Sequence, residues 1–176
     1  MSNSLLDLAR DHASDFLREL PDRHAGAQAT RDELFAALHA PLSDDGEDPA
    51  AVIDALSRGA DRGLIACAGP RYFGFVIGGS LPVALAADWL TSAWDQNAGI
   101  YATSPAASVV EDIAREWLLE LFDLPRTSSV GFVTGGQMAN FTALAAARHG
   151  VLRNAGWNVE EDGLAGAPPV HLVVSA

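Results

Sequence analysis

The stretch from Ser129 to Arg148 constrains this chain more than any other. Val130, Phe132 and Val133 are β-favouring residues in a short apolar run, which predicts a strand. Gly135 and Gly136 break the run and let the backbone take positive φ or approach a ligand closely. From Gln137 the pattern turns helical, with Ala139, Ala143, Leu144 and Ala147 spaced for one face. The first free N–H groups of that helix fall just after the glycines, where unpaired donors and the helix dipole favour anions. A phosphate seat at Thr134, Gly135, Gly136 and Gln137 follows as one reading. An ordinary turn between strand and helix, with glycines for tight packing, fits the same residues.

Further on, Pro168-Pro169 leads into Val170 to Val174, a continuous apolar run that predicts a second strand. Strand, helix and strand make one βαβ unit, which is expected to be parallel and right-handed. A parallel sheet is covered on both faces and needs several strands, and only two are visible among the 176 residues. The expectation is therefore that the sequence is the beginning of a larger α/β fold.

Ahead of this unit the pattern is helical. Leu5, Leu6, Ala9, Ala13, Phe16, Leu17 and Leu20 form an apolar stripe that Pro21 ends. Thr30 to Glu33 is a capping-box sequence, so a second helix starts there and runs towards Pro41. Asp48-Pro49 reads as an N-cap with proline at the first helical position, opening a third helix that ends near Gly63. Three short helices joined by loops hardly make a core of their own, and they read as an arm that packs on something else. Gly69 to Gly79 is crowded with aromatics and broken by Pro70, Gly74 and Gly78-Gly79, which suggests an apolar loop lining a pocket or interface. Ser80 is the expected cap of a fourth helix and Ser104-Pro105 opens a fifth. The fifth carries Ala106, Val109, Val110, Ile113, Trp117 and Leu121 on one face and a Glu111–Arg115 pair on the other. Asn154 to Ala167 reads as a loop.

Composition closes several doors. A net charge of −12 argues against nucleic acid and anionic lipid, both of which need a basic face. The single cysteine, Cys67, leaves no internal disulfide framework and fits a reducing, cytoplasmic setting. No signal peptide is visible, and no apolar run reaches the roughly 20 residues of a membrane span. The five histidines show no metal-ligand spacing, so no metal site is expected. All 11 basic residues are arginine, and the chain contains no lysine.

An ordered set of short matches then carries a family resemblance. Pro70-Arg71-Tyr72-Phe73-Gly74-Phe75, Gly78-Gly79, Ala87-Asp88, Gln96-Asn97, Ser104-Pro105-Ala106, Trp117-Leu118, Phe132 to Gly136, Ala139-Asn140 and Ala143 to Arg148 follow one another. The pattern resembles the amino-terminal part of the group II pyridoxal-5′-phosphate-dependent amino acid decarboxylases. That family includes aromatic-L-amino-acid, tyrosine, histidine, glutamate and 2,4-diaminobutyrate decarboxylases. The resemblance implies the aspartate-aminotransferase-like type I fold of PLP-dependent transferases, with residues 1–68 as a helical arm and 69–176 as the start of the large, cofactor-binding domain. It also implies a homodimer in which the arm crosses onto the partner.

The same resemblance implies roles. Thr134, Gly135, Gly136 and Gln137 match the turn that holds the phosphate of pyridoxal 5′-phosphate. Phe75, Val76, Ile77 and Gly78 match the loop lining the substrate side of the pocket. Ile100 and Tyr101 match a segment reaching the neighbouring subunit's site. Two departures bear on substrate choice: Gly69 stands where many members have histidine, and Gln137-Met138 where many have Ser or Thr followed by Glu. The lysine that forms the Schiff base has no counterpart here, so no catalytic residue is assigned. The expectation is the amino-terminal portion of a carboxy-lyase acting on an amino acid, inactive alone and completed by further sequence or a second polypeptide. A non-catalytic binding module, or a dimerisation subunit derived from the same family, is the alternative.

Overall fold

The computed structural model describes residues 3–42 and 44–174. The chain divides into two compact units, Met1–Asp95 and Gln96–Ala176, and Ala68–Gly69 lies inside the first.

Among the described residues the first unit holds four α-helices. Helix α1 (Asn3–Glu19) stops two residues before Pro21, and α2 (Arg31–Leu38) begins at the expected capping box. Thr30 donates its backbone N–H to Glu33 Oε2 at 2.7 Å, and Glu33 returns its own N–H to Thr30 Oγ1 at 3.3 Å. Helix α3 (Pro49–Ala60) starts with Asp48 accepting from the Ala51 N–H at 3.1 Å, and a 3₁₀ turn (Asp61–Gly63) ends it. Both α1 and α2 pack on α3. The close approach of α2 requires Gly59, because a Cβ there would sit 2.8 Å from Leu38 Cδ2 and 3.0 Å from the Ala37 carbonyl oxygen. A 2.6 Å bond between His12 Nε2 and Asp54 Oδ1 joins α1 to α3, while Arg58 holds the other carboxylate oxygen of Asp54. Leu20 and Ala66 are the buried apolar residues of this unit among those described, and Leu6, Phe35, Val52 and Leu56 stay exposed.

Helix α4 (Pro82–Trp94) corrects one expectation. Ser80 is not its cap. Pro82 takes the first helical position, so the cap falls on Leu81, which has no side-chain oxygen to offer. Asp95 ends the helix in a left-handed conformation, its N–H bonded to the Thr91 carbonyl at 3.2 Å. Phe16, Leu17, Leu56, Leu85 and Trp89 contribute to the walls of an apolar cavity of about 1030 Å³ inside this unit.

The second unit is built on α5 (Pro105–Leu121) and α6 (Gly136–Asn154). Leu119 and Leu152 are buried, whereas the apolar stripe expected on one face of α5 is open: Trp117 is 70% and Leu121 75% exposed. Arg115 pairs with Asp112 at 3.8 Å rather than with Glu111. The spacing i,i+3 serves as well as i,i+4 on a helix surface, so the nearer carboxylate takes the guanidinium. Within the expected loop 154–167 a single helical turn forms, α7 (Val159–Asp162). Asn158 caps it by accepting from the Glu160 N–H, and three acidic residues occupy its first turn, where the dipole favours them. Trp157 Nε1 closes the following loop on the Gly163 carbonyl at 2.9 Å.

Among the described residues no strand is assigned. Val130–Val133 and Val170–Val174 are extended in sequence character, but a strand is defined by its ladder. Neither run finds a backbone partner among the described residues.

Candidate functional site

The turn before α6 is shaped as an anion seat. Gly135 is its N-cap, with φ 155° and ψ 176°, a conformation that glycine alone occupies readily. No side chain caps this helix. Its first intrahelical bond runs from the Ala139 N–H to the Gly135 carbonyl at 3.0 Å. The N–H groups of Gly136, Gln137 and Met138 therefore precede the ladder and point off the helix end as free donors. A Cβ built on Gly135 or Gly136 meets no atom within 4 Å, so the space over these donors is open. Three backbone donors and the positive end of a 19-residue helix fit a phosphate group, and Thr134 and Gln137 flank them in sequence with a hydroxyl and an amide. Thr134, Gly135, Gly136 and Gln137 follow one another through this turn.

The expected substrate-side residues Phe75, Val76, Ile77 and Gly78 lie together on a loop of the first unit. The Ile77 N–H bonds to the Gly74 carbonyl at 3.2 Å and closes a tight turn. Phe75 and Val76, its two central residues, both have φ 56°. Positive φ at both central positions defines a type I′ turn, which favours Asn and Gly and strains a β-branched valine. Both side chains project fully into solvent, Phe75 at 91% and Val76 at 106% of full exposure.

Ile100 and Tyr101 lie on the loop that enters α5 in the second unit. The Thr103 hydroxyl is within bonding distance of the Asn97 carbonyl, 2.7 Å, and of the Ile100 carbonyl, 3.0 Å, and the Thr103 N–H adds a bond to Ile100. This closed loop presents Ile100 and Tyr101 outward. Ser104 caps α5 by position only. Its hydroxyl is buried and makes no cap bond.

Sequence reasoning missed a network at the end of α1. The Arg23 guanidinium lies 4.9 Å from the centre of the Phe16 ring. It donates to Asp61 at the carbonyl, 2.5 Å, and at Oδ1, 2.6 Å, and to Glu19 Oε2 at 3.2 Å. Arg71 Nη2 in turn donates to the Arg23 carbonyl at 2.7 Å. These partners stand 38 and 48 residues apart, and no local pattern marks them. Among the described residues no group of three His, Cys, Asp or Glu side chains is arranged to hold a metal ion, and no helix is long and apolar enough to cross a membrane.

Comparison with known proteins gives the geometry its context. The model of the pyridoxal-dependent decarboxylase conserved domain matches residues 33–164, and the chain belongs to that family. It is 28% identical over 149 residues to an aromatic-L-amino-acid decarboxylase of Bacillus atrophaeus, across 85% of this chain and 30% of the relative. It is 42% identical over 69 residues to an L-2,4-diaminobutyrate decarboxylase of Rhizobium meliloti, across 38% of this chain and 14% of the relative. The crystal structure of mouse CSAD superposes with a TM-score of 0.79 at 21% identity, covering 96% of this chain and 34% of that one. The fold is that of the type I PLP enzymes, and the chain spans about a third or less of the length of the relatives it matches.

Proposed function

We propose that this chain forms part of a PLP-dependent amino acid decarboxylase and that Thr134, Gly135, Gly136 and Gln137 hold the cofactor phosphate. The observation that carries the reading is the uncapped start of α6, with free N–H groups facing open space beside Gly135. The N–H groups of Gly136, Gln137 and Met138 donate to the phosphate oxygens, and the Thr134 hydroxyl and Gln137 amide add two further donors. Bound PLP supplies an electron sink for the carbanion left when CO₂ departs. Phe75, Val76, Ile77 and Gly78 wall the substrate side and exclude water from it. Ile100 and Tyr101 reach into the neighbouring subunit's pocket.

In this reading the protein works as a cytoplasmic homodimer. Residues 1–68 are an arm laid across the partner, and residues 69–176 begin the large domain. The runs Val130–Val133 and Val170–Val174 are strands of a parallel sheet completed by segments outside this sequence. The lysine that holds the cofactor covalently comes from outside it as well, because this chain has none. The full-length polypeptide encoded by the gene is expected to bind PLP stoichiometrically and to release CO₂ from an L-amino acid. Residues 1–176 alone, incubated with PLP and reduced with borohydride, are expected to carry no stoichiometric adduct by mass spectrometry. A full-length protein that binds no PLP overturns the proposal, as does an adduct with turnover on residues 1–176 alone.

A further inference from the structure

The strained turn at Gly74–Ile77 is exposed at its tip, so its orientation is decided at its base. Strain of this kind persists only where surroundings over-determine it, and among the described residues Phe75 and Val76 stay almost fully exposed. The base is held by a relay that begins on α1. The Arg23 side chain is only 12% exposed, and its bonds to Glu19 and Asp61 and its seat over Phe16 fix the residue in place. Its carbonyl then accepts the 2.7 Å bond from Arg71, four residues ahead of Phe75. Among the described residues Arg71 pairs with no carboxylate. Its guanidinium is spent on a backbone oxygen of the arm. The neighbouring Ala66 N–H bonds to the Ala25 carbonyl at 3.2 Å and ties the approach to the loop to the same segment.

We propose that Arg71 is a positioning residue: by clamping the loop to the Arg23 carbonyl it aims the Phe75–Val76 turn at the substrate. The proposal rests on the reading of Phe75–Gly78 as the substrate wall. A charged donor on the carbonyl of a residue whose side chain is pinned is among the stronger hydrogen bonds, and beside it the Ala66–Ala25 bond is the other tie between this segment and the approach to the loop. Lysine at position 71 keeps a charged donor but loses the planar fork that fixes direction.

The test uses the full-length enzyme with Arg71→Met and Arg71→Lys. Arg71→Met is expected to raise KM for the amino acid about tenfold while kcat changes less than about twofold, the size of effect a lost charged hydrogen bond gives. Hydrogen exchange in peptides covering 72–79 is expected to speed up about fivefold, with peptides in 136–154 unchanged. Arg71→Lys, which keeps the charged donor without the fork, is expected to fall between the parent and Arg71→Met in both readouts. Unchanged exchange at 72–79 overturns the clamp, as does a joint loss of kcat and cofactor, which marks general unfolding. Faster exchange with unchanged KM overturns the substrate-aiming role. A parent enzyme without decarboxylase activity refutes the function proposed above, and exchange at 72–79 still decides the clamp.

Discussion

Replacing Gly136 by alanine is expected to move stability and cofactor affinity in opposite directions. Gly136 is the first residue of α6, its φ lies outside the left-handed region, and an added Cβ meets no atom within 4 Å. Without ligand the substitution therefore costs nothing in the folded state. It narrows the unfolded ensemble, which stabilises by about 0.4–1 kcal/mol. A domain of about 150–250 residues shifts its midpoint by about 2–4 °C per kcal/mol and a longer enzyme by less, so cofactor-free full-length enzyme melts up to about 2 °C higher. The same methyl group occupies the space a phosphate needs to reach the N–H groups of Gly136 and Gln137. Losing one hydrogen bond to a charged group costs about 1.5–3 kcal/mol, or roughly 10- to 150-fold in Kd. Gly135→Ala supplies the contrast, since its backbone conformation strains any side chain and should destabilise the cofactor-free form by about 1–3 kcal/mol. Melting of stripped enzyme and spectroscopic titration with PLP read the two quantities separately. A Gly136→Ala enzyme that binds PLP like the parent refutes the phosphate seat. One that melts lower without cofactor refutes the open-space argument.

Deleting Met1 to Ala40 uncovers the faces on which α1 and α2 pack and is expected to turn the proposed dimer into monomer or aggregate in light scattering; a soluble, active dimer of the shortened protein contradicts the proposed arm. Thr30→Ala removes one half of the capping box and is expected to cost about 1 kcal/mol in thermal or denaturant melts. Glu33, the other half, is held below the ordinary carboxylate range chiefly by the Thr30 N–H, with help from the Thr30 hydroxyl. A pKa lowered by folding means stability that is present above the unfolded value and lost as pH falls through the folded one. The difference in melting between the parent and Glu33→Gln should therefore fade as acid protonates Glu33, and a difference that grows in acid contradicts the assignment.

What was legible in the sequence was local. The Thr30–Glu33 box and the Asp48 cap each depend on residues three apart, and both form as read. The glycine turn and the start of α6 are equally short-range. Ser80 misled because a serine near a helix start is only a cap at one register, and Pro82 moved that register to Leu81. The α7 turn was hidden by its glycine-rich flanks, although Asn158 and the acidic run after it were its signal. Periodicity on α5 identified the apolar face without saying what covers it, and Trp117 and Leu121 are open in this chain. Strand pairing and the Arg71–Arg23–Asp61 relay are tertiary facts. Their partners are set by how distant segments meet, and no pattern in either segment alone encodes the meeting.

The turn at Phe75–Val76 has a consequence for anyone who selects this protein for heat resistance. Asn-Gly in those two positions relieves a left-handed strain of about 1–3 kcal/mol per residue. A library sorted on survival at high temperature will therefore enrich glycine at positions 75 and 76. If the aromatic ring and the isopropyl group wall the substrate side as proposed, a library sorted on turnover will discard the same clones. Divergence of the two selections at this one dipeptide, with agreement elsewhere on the loop, is the pattern of a site where robustness has been yielded to chemistry.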